Sequence, residues 1–167
     1  QSDCIAQALC GLLLLRRLFK QLESRPTSRR AELETLAAAA LPPLLALGSM
    51  LVSAAAQGGG GAHQAIEMMR VILKCVYSAL LMAVSRQLQK DIGAWMQLFV
   101  AVAALPAGTF GSGVVAEMSP EAKCRKWIFH IFLRFCCRHG NPRRCVNGGE
   151  EFAQAWSAAY AVPVAEA

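Results

Sequence analysis

Apolar residues recur every three or four positions along most of this chain, which is the period of an amphipathic helix. No stretch shows the strict alternation that is typical of a half-buried strand, so the pattern predicts an all-α fold. Period and end signals together predict six helices, at about residues 3–23, 28–56, 62–85, 88–105, 119–139 and 150–161. Their inward faces should include Phe19, Leu73, Phe99, Phe132 and Trp156.

Proline and capping residues mark the borders and one interior point of these helices. Pro42 and Pro43 fall inside the second helix and should kink it, because each removes a donor and clashes with the preceding turn. The fifth helix has the clearest borders: Ser119 is its predicted N-cap, Pro120 takes the first position, and the Gly-Asn-Pro run at 140–142 ends it.

The fifth predicted helix carries only a narrow polar stripe. Lys126, His130, Arg134 and Arg138 follow one another at four-residue intervals, and most of the remaining surface is apolar. Such a helix must be covered on several sides, which is the situation of a helix between its neighbours in a stacked array.

A repeat of about 55 residues relates the first, third and fifth predicted helices. Arg16 and Lys20 recur 54 residues later as Arg70 and Lys74, and Lys126 aligns with Arg70 after a further 56 residues. Chance agreement between amphipathic helices is the alternative, but this period is close to the roughly 40–47 residues of helical-pair repeats. The register gives a predicted protein-binding stripe: Arg16, Lys20, Arg70, Lys74, Lys126, Arg134 and Arg138.

The composition suggests that something covers much of the surface. Hydrophobic residues make up 55% of the chain and charged residues only 17%, so a neighbouring stretch of chain, a partner or a membrane could provide that cover. Leu36–Ala56 and Ile92–Ala116 carry no charge and are long enough to cross a bilayer. Both are interrupted by proline and glycine, so we expect no membrane insertion. A small helical membrane protein remains an alternative.

The chemistry-bearing residues do not form a catalytic or metal-binding motif. The seven cysteines are odd in number and irregularly spaced, which favours free thiols in a reducing compartment. Cys136, Cys137, His139 and Cys145 could suggest zinc, but adjacent cysteines on a helix point about 100° apart and do not form the usual knuckle. We therefore expect a protein that is not an enzyme and has no metal or cofactor.

The basic residues leave three interpretations open. A net charge of +6 favours an acidic protein partner or a phosphate-rich surface, while a solvated face is the plainest explanation. The aromatic residues of the fifth helix are expected to be buried, which removes the stacking platforms that single-stranded nucleic acids require. We therefore expect no direct binding of nucleic acid.

The stretch Lys123–Pro142, KCRKWIFHIFLRFCCRHGNP, and the following EEFAQAW resemble the N-terminal half of importin-beta-type nuclear transport receptors. The branch that contains importins seven and eight is the most similar. The stretch QSDCIAQALCGLLLLRRLFKQLE and the later LPPLLAL fit the same branch. The order and spacing of these blocks agree across nearly all of the chain.

This resemblance implies a HEAT-repeat superhelical solenoid, of which the chain would form about three helical pairs of a longer array. The first, third and fifth helices would then be inner helices and the others outer helices. It also implies an import receptor that binds protein cargo, the GTPase Ran and nucleoporin Phe-Gly repeats while shuttling between cytoplasm and nucleus. A HEAT scaffold or regulatory subunit outside transport is the alternative. The segment is basic where receptors for basic cargo tend to be acidic, so its own contact with cargo is an open question.

Overall fold

A computed structural model describes residues 2–23, 30–80, 85–105 and 119–139, and all structural statements refer to these ranges. Within them the chain forms helices and no strand, which confirms the prediction of an all-α fold for the part described. The helices are α1 (Ser2–Glu23), α2 (Arg30–Gln57), α3 (Ala62–Ala79), α4 (Arg86–Lys90), α5 (Ile92–Ala103) and α6 (Pro120–His139). The helix predicted at 150–161 lies outside the described residues.

The third and fourth predicted helices differ most from the structure. The third ends at Ala79 instead of continuing to 85. The fourth begins two residues earlier than predicted, because the Ser85 hydroxyl accepts a hydrogen bond from the Leu88 backbone N–H at 3.1 Å and caps α4. It then divides at Asp91 into α4 and α5.

The second helix continues without interruption through its two prolines. Pro42 and Pro43 are exposed, as are Ala38 and Ala39 one turn before them. A proline cannot donate to the carbonyl four residues earlier, so the carbonyls of Ala38 and Ala39 lose their helical donors. Because these carbonyls lie on the exposed side of α2, water can take the place of the missing donors.

Among the described residues, one helix is long and apolar enough to cross a membrane, Ala31–Gln57. Core helices of soluble proteins have the same length and composition. One side of this helix is buried inside the protein through Leu33, Ala37, Leu41 and Leu44.

Helix α3 is the centre of the packing. It makes its most extensive contacts with α2, α6 and α1, whereas α1 and α6 barely meet each other. Helix α2 also packs against α4 and α5, and α5 packs against α6. The helices therefore form two rows, with α1, α3 and α6 in one row and α2, α4 and α5 in the other.

The hydrophobic core of the described residues contains three of the five residues predicted to face inward. Phe19, Leu73 and Phe99 are each at most 1% exposed, which confirms their predicted burial. Phe132 packs against the core, with its ring centroid 6.1 Å from that of Phe99 in an edge-to-face arrangement. Trp156 lies outside the described residues.

Local hydrogen bonds fix both the start of α6 and its junction with α5. The Ser119 hydroxyl accepts a hydrogen bond from the Ala122 N–H at 3.1 Å, as the predicted N-cap requires. The Arg125 guanidinium donates to the carbonyls of Ala103, at 3.1 Å, and Leu105. These carbonyls lie at the C-terminal end of α5, where a positive charge is favourable.

Candidate protein-binding face

Helix α3 reaches the surface along a single line. From Ala65 to Leu80 only Glu67, Arg70, Lys74 and Tyr77 are half-buried, and every other residue is buried. Their three- and four-residue spacing places them on one side of the helix, because neighbouring helices cover the others. The thin polar stripe that the sequence predicts for α6 is thus a property of α3 as well.

Arg70 is held on this line by a carboxylate of its own helix. Its Nη2 atom lies 2.6 Å from Oε2 of Glu67, and the two side chains are 30% and 28% exposed. An ion pair this exposed contributes about 1 kcal/mol or less. The Nε atom of Arg70 is buried and has no hydrogen-bond partner. The ion pair therefore orients the guanidinium more than it stabilises the fold.

Lys74 is surrounded by an aromatic ring and by other cations. Its ammonium group lies 5.2 Å from the ring centroid of Trp127 on α6, within the range of a cation–π interaction. Burial lowers the pKa of Lys74 below 10.5, and the positive charges of Arg16 and Arg70 lower it further, against a smaller raising effect of Glu67. Arg16 on α1 is therefore electrostatically coupled to α3. We call Arg16, Arg70 and Lys74 the cation cluster.

Arg134 lies against the next turn of the same line. The central carbon of its guanidinium is 3.5 Å from the ring centroid of Tyr77, and its Nη1 atom donates to the Tyr77 carbonyl at 3.0 Å. The Tyr77 ring in turn meets Trp127 edge-on, with centroids 5.2 Å apart. Cations and aromatic rings therefore alternate along the boundary between α3 and α6.

This alternation corrects the expectation that the aromatic residues of α6 are all buried. Trp127 and His130 are half-buried, and Phe129 is 65% exposed. Two of the aromatic rings in this region already contact cations, since Lys74 lies over Trp127 and Arg134 lies over Tyr77. The rings of Trp127 and Tyr77 therefore each carry a cation, whereas the ring of Phe129 is exposed on α6.

Five of the seven predicted binding residues lie on α3, against α3 or on the neighbouring helix α1. Three of them are the cation cluster. Lys20 is exposed one turn after Arg16 on α1, and Arg134 is held over Tyr77. The repeat register was the sequence signal for this grouping. Tyr77 was missed, although its spacing from Lys74 already placed it on the same side of α3.

The other two predicted residues are on α6. Lys126 is exposed, and it precedes Trp127, so it projects about 100° further round the helix than the ring that contacts Lys74. It adds positive charge to the outer side of α6 instead of joining the cluster. The side chain of Arg138 lies outside the described residues.

The row formed by α1, α3 and α6 carries far more positive than negative charge. Among its described side chains the only carboxylates are Glu67 and Glu121, and Glu121 is 2% exposed. The same row contains nine described basic side chains, namely Arg16, Arg17, Lys20, Arg70, Lys74, Lys123, Arg125, Lys126 and Arg134. The surface of this row is therefore electrostatically complementary to an acidic partner.

Two thiols are buried in this row. Burial raises the pKa of Cys75 and that of Cys124 from 9.0 to about 12, and the Cys124 thiol donates a weak hydrogen bond to the Ile66 carbonyl at 3.6 Å. Neutral, inaccessible thiols are poor nucleophiles. Within the described ranges no group of three or more His, Cys, Asp or Glu residues could hold a metal ion.

Comparisons with known proteins give no family assignment. No protein-family model matches the chain, and no solved structure matches it. What the face can bind therefore has to be inferred from its own geometry and charge.

Proposed function

We propose that this chain is a helical binding module that holds an acidic protein partner on the face formed by α1, α3 and α6. The observation that carries the proposal is the cation cluster. Arg16, Arg70 and Lys74 come from two helices and are electrostatically coupled, and Glu67 is the one described carboxylate beside them at the surface. Such a potential accelerates the encounter with an acidic surface and disfavours basic ones.

The orientation of these side chains supports the same proposal. Glu67 holds Arg70, and the ring of Trp127 lies beneath the ammonium group of Lys74. A long basic side chain normally loses about 0.5–1.5 kcal/mol of conformational entropy when a partner immobilises it. The contacts of Arg70 with Glu67 and of Lys74 with Trp127 already restrict these two side chains in the free protein. Less conformational entropy is then lost on binding, so each contact with an acidic partner contributes more net affinity.

In its more specific form, the proposal is that the chain is a segment of a nuclear import receptor. The support is the resemblance of its sequence blocks to importin-beta-type receptors, together with the two rows of helices. In such a HEAT array α1, α3 and α6 would be the inner helices. The partner on the basic face would then be Ran or an acidic loop of the same receptor, while cargo and nucleoporin Phe-Gly repeats engage the array as a whole.

A charge-reversal experiment tests the binding face. The double variant Arg70→Glu/Lys74→Glu is compared with Arg86→Glu/Lys90→Glu, which makes the same charge change at exposed positions of α4 in the other row. Binding of GTP-loaded Ran and of a Glu-rich peptide is measured by fluorescence anisotropy at low and physiological salt. We expect the α3 variant to lose roughly tenfold or more in affinity and much of its salt dependence, whereas the α4 variant changes little.

The two ligands separate the general from the specific proposal. If the unaltered chain binds the peptide but not Ran, and the α3 variant loses the peptide, the result would support a module for acidic partners and contradict the transport proposal. Equal losses in both variants would show that net charge alone is responsible, and the face would then be only a solvated surface. Circular dichroism and thermal melts of each variant verify that the fold is intact.

A further inference from the structure

We propose that the cation cluster is a subsite for a phosphorylated side chain of the partner protein. This inference rests on the proposed function, because it names the acidic group that occupies the centre of the same face. The cluster consists of Arg16 on α1 and of Arg70 and Lys74 on α3.

The first argument is charge balance. The cluster contributes three positive charges, and Glu67 is the only described surface carboxylate that offsets them. Two positive charges therefore remain unbalanced. A single carboxylate of an acidic segment would neutralise only one of them. A phosphate monoester carries about −1.5 to −2 charges at neutral pH, so a single group would balance the excess. The mutual repulsion of the cations, which together with the larger effect of burial lowers the pKa of Lys74, would be relieved at the same time.

The second argument is the arrangement of donors. Arg70 and Lys74 are four residues apart on one line of α3, so their Cβ atoms are about 5–6 Å apart. Arg16 lies on α1, which packs against α3, and its charge acts on Lys74. Glu67 contacts Nη2 of Arg70, and Nε is buried, so the remaining Nη hydrogens are the ones that a ligand can reach. Guanidinium forks bind phosphate oxygens in pairs, and an ammonium group adds a compact charge.

The third argument distinguishes a phosphorylated protein from a single-stranded nucleic acid, which also carries phosphates. Strand binding without sequence preference combines a basic groove with aromatic rings on which bases stack. In this face the ammonium group of Lys74 lies over the ring of Trp127, and the guanidinium of Arg134 lies 3.5 Å from the ring centroid of Tyr77. At these two rings a base would have to displace a cation before it could stack, whereas a phosphate group requires no such displacement. The exposed ring of Phe129 comes two residues after Trp127 and so projects about 200° further round α6, away from the cation cluster.

The test uses three peptides of identical length, rich in Glu, with serine, aspartate or phosphoserine at the centre. Their dissociation constants for the full chain are measured by fluorescence anisotropy at physiological salt. We expect the phosphoserine peptide to bind about tenfold more tightly than the serine peptide and several-fold more tightly than the aspartate peptide. The preference for phosphoserine should disappear in Arg16→Gln/Lys74→Met, in which the methionine keeps an apolar chain against Trp127.

A matched control removes two positive charges elsewhere. Arg86→Gln/Lys90→Gln on α4 should retain the preference for phosphoserine. Equal binding of the phosphoserine and aspartate peptides, with both weakened by Arg70→Glu/Lys74→Glu, would overturn the phosphate subsite and leave the proposed function standing. Failure of every peptide to bind would overturn the phosphate subsite, and it would overturn the proposed function as well if GTP-loaded Ran also failed to bind. Tighter binding of an oligouridylate of equal charge would assign the cluster to nucleic acid and overturn the inference.

Discussion

Two glycines in helices provide a sharp test of how α2 packs against α5. Gly48 is buried in α2, and a Cβ atom built on it would lie 2.8 Å from Cδ2 of Leu98 and 3.6 Å from Cε of Met69. Gly11 is exposed in α1, and a Cβ atom there would meet nothing within 4 Å. Replacing each glycine by alanine therefore adds the same methyl group in two different surroundings.

The expected free energies follow from these surroundings. Each replacement gains up to about 1 kcal/mol of helix propensity, so Gly11→Ala should stabilise the protein by about 0.5–1 kcal/mol. Gly48→Ala gains the same propensity but pushes a buried Leu98 methyl group out of a packed site, which costs about 1–3 kcal/mol. The difference between the two variants isolates the packing cost because the propensity gain cancels.

Urea unfolding, followed by circular dichroism, measures this difference. We expect Gly48→Ala to unfold at a lower urea concentration than Gly11→Ala, with an unchanged denaturant dependence and a free-energy difference of about 1–3 kcal/mol. If the two variants were stabilised equally, to within about 0.3 kcal/mol, the close approach of Leu98 to α2 would be refuted.

Three further outcomes follow from buried polar groups. Iodoacetamide should modify the exposed Cys10 much faster than Cys75 or Cys124 in the folded chain, as followed by peptide mass spectrometry, and equal rates would contradict their burial. Burial raises the pKa of both thiols in the folded state to about 12, against 9.0 for an exposed thiol, so the stability they contribute is complete below pH 9 and is lost as the pH rises from 9 towards 12. Urea titrations at several pH values should show a fall of up to about 1.4 kcal/mol per pH unit for each thiol, and Cys75→Ala/Cys124→Ala should flatten it. Glu121 is 2% exposed and neither carboxylate oxygen has a donor, so Glu121→Met should raise the free energy of unfolding by about 1 kcal/mol, and a decrease would show that an unseen partner stabilises the carboxylate.

The local signals in the sequence were sufficient for part of the fold. The start of α6 was predicted correctly because Ser119 and Pro120 are capping residues whose role depends only on their neighbours. The end of α3 was not, because apolar residues continue past Ala79 at helical spacing and the period alone cannot mark where a helix stops. The break at Asp91 has the same cause, since the apolar pattern continues on both sides of it.

The candidate site shows a similar division. The repeat register grouped Arg16, Arg70 and Lys74 from the faces of their helices, and in the structure α1 packs against α3 and the charge of Arg16 acts on Lys74. It could not place Lys126, because a shift of one residue rotates a side chain by about 100° round its helix. Contacts between helices, such as that of Arg134 with Tyr77, depend on helix orientation and rotamers, and neither can be obtained from spacing.

The bond between Arg125 and the end of α5 also bears on how the chain can change in evolution. Because the guanidinium joins α6 directly to the carbonyls of Ala103 and Leu105, a side chain contributes to the alignment of the two helices in addition to the peptide that connects them. Doubling the length of such a connection costs only about 0.6 kcal/mol of loop-closure entropy. The contact between Arg125 and the end of α5 is independent of the length of that connection, so it would help α6 to keep its place in the binding face if the length changed.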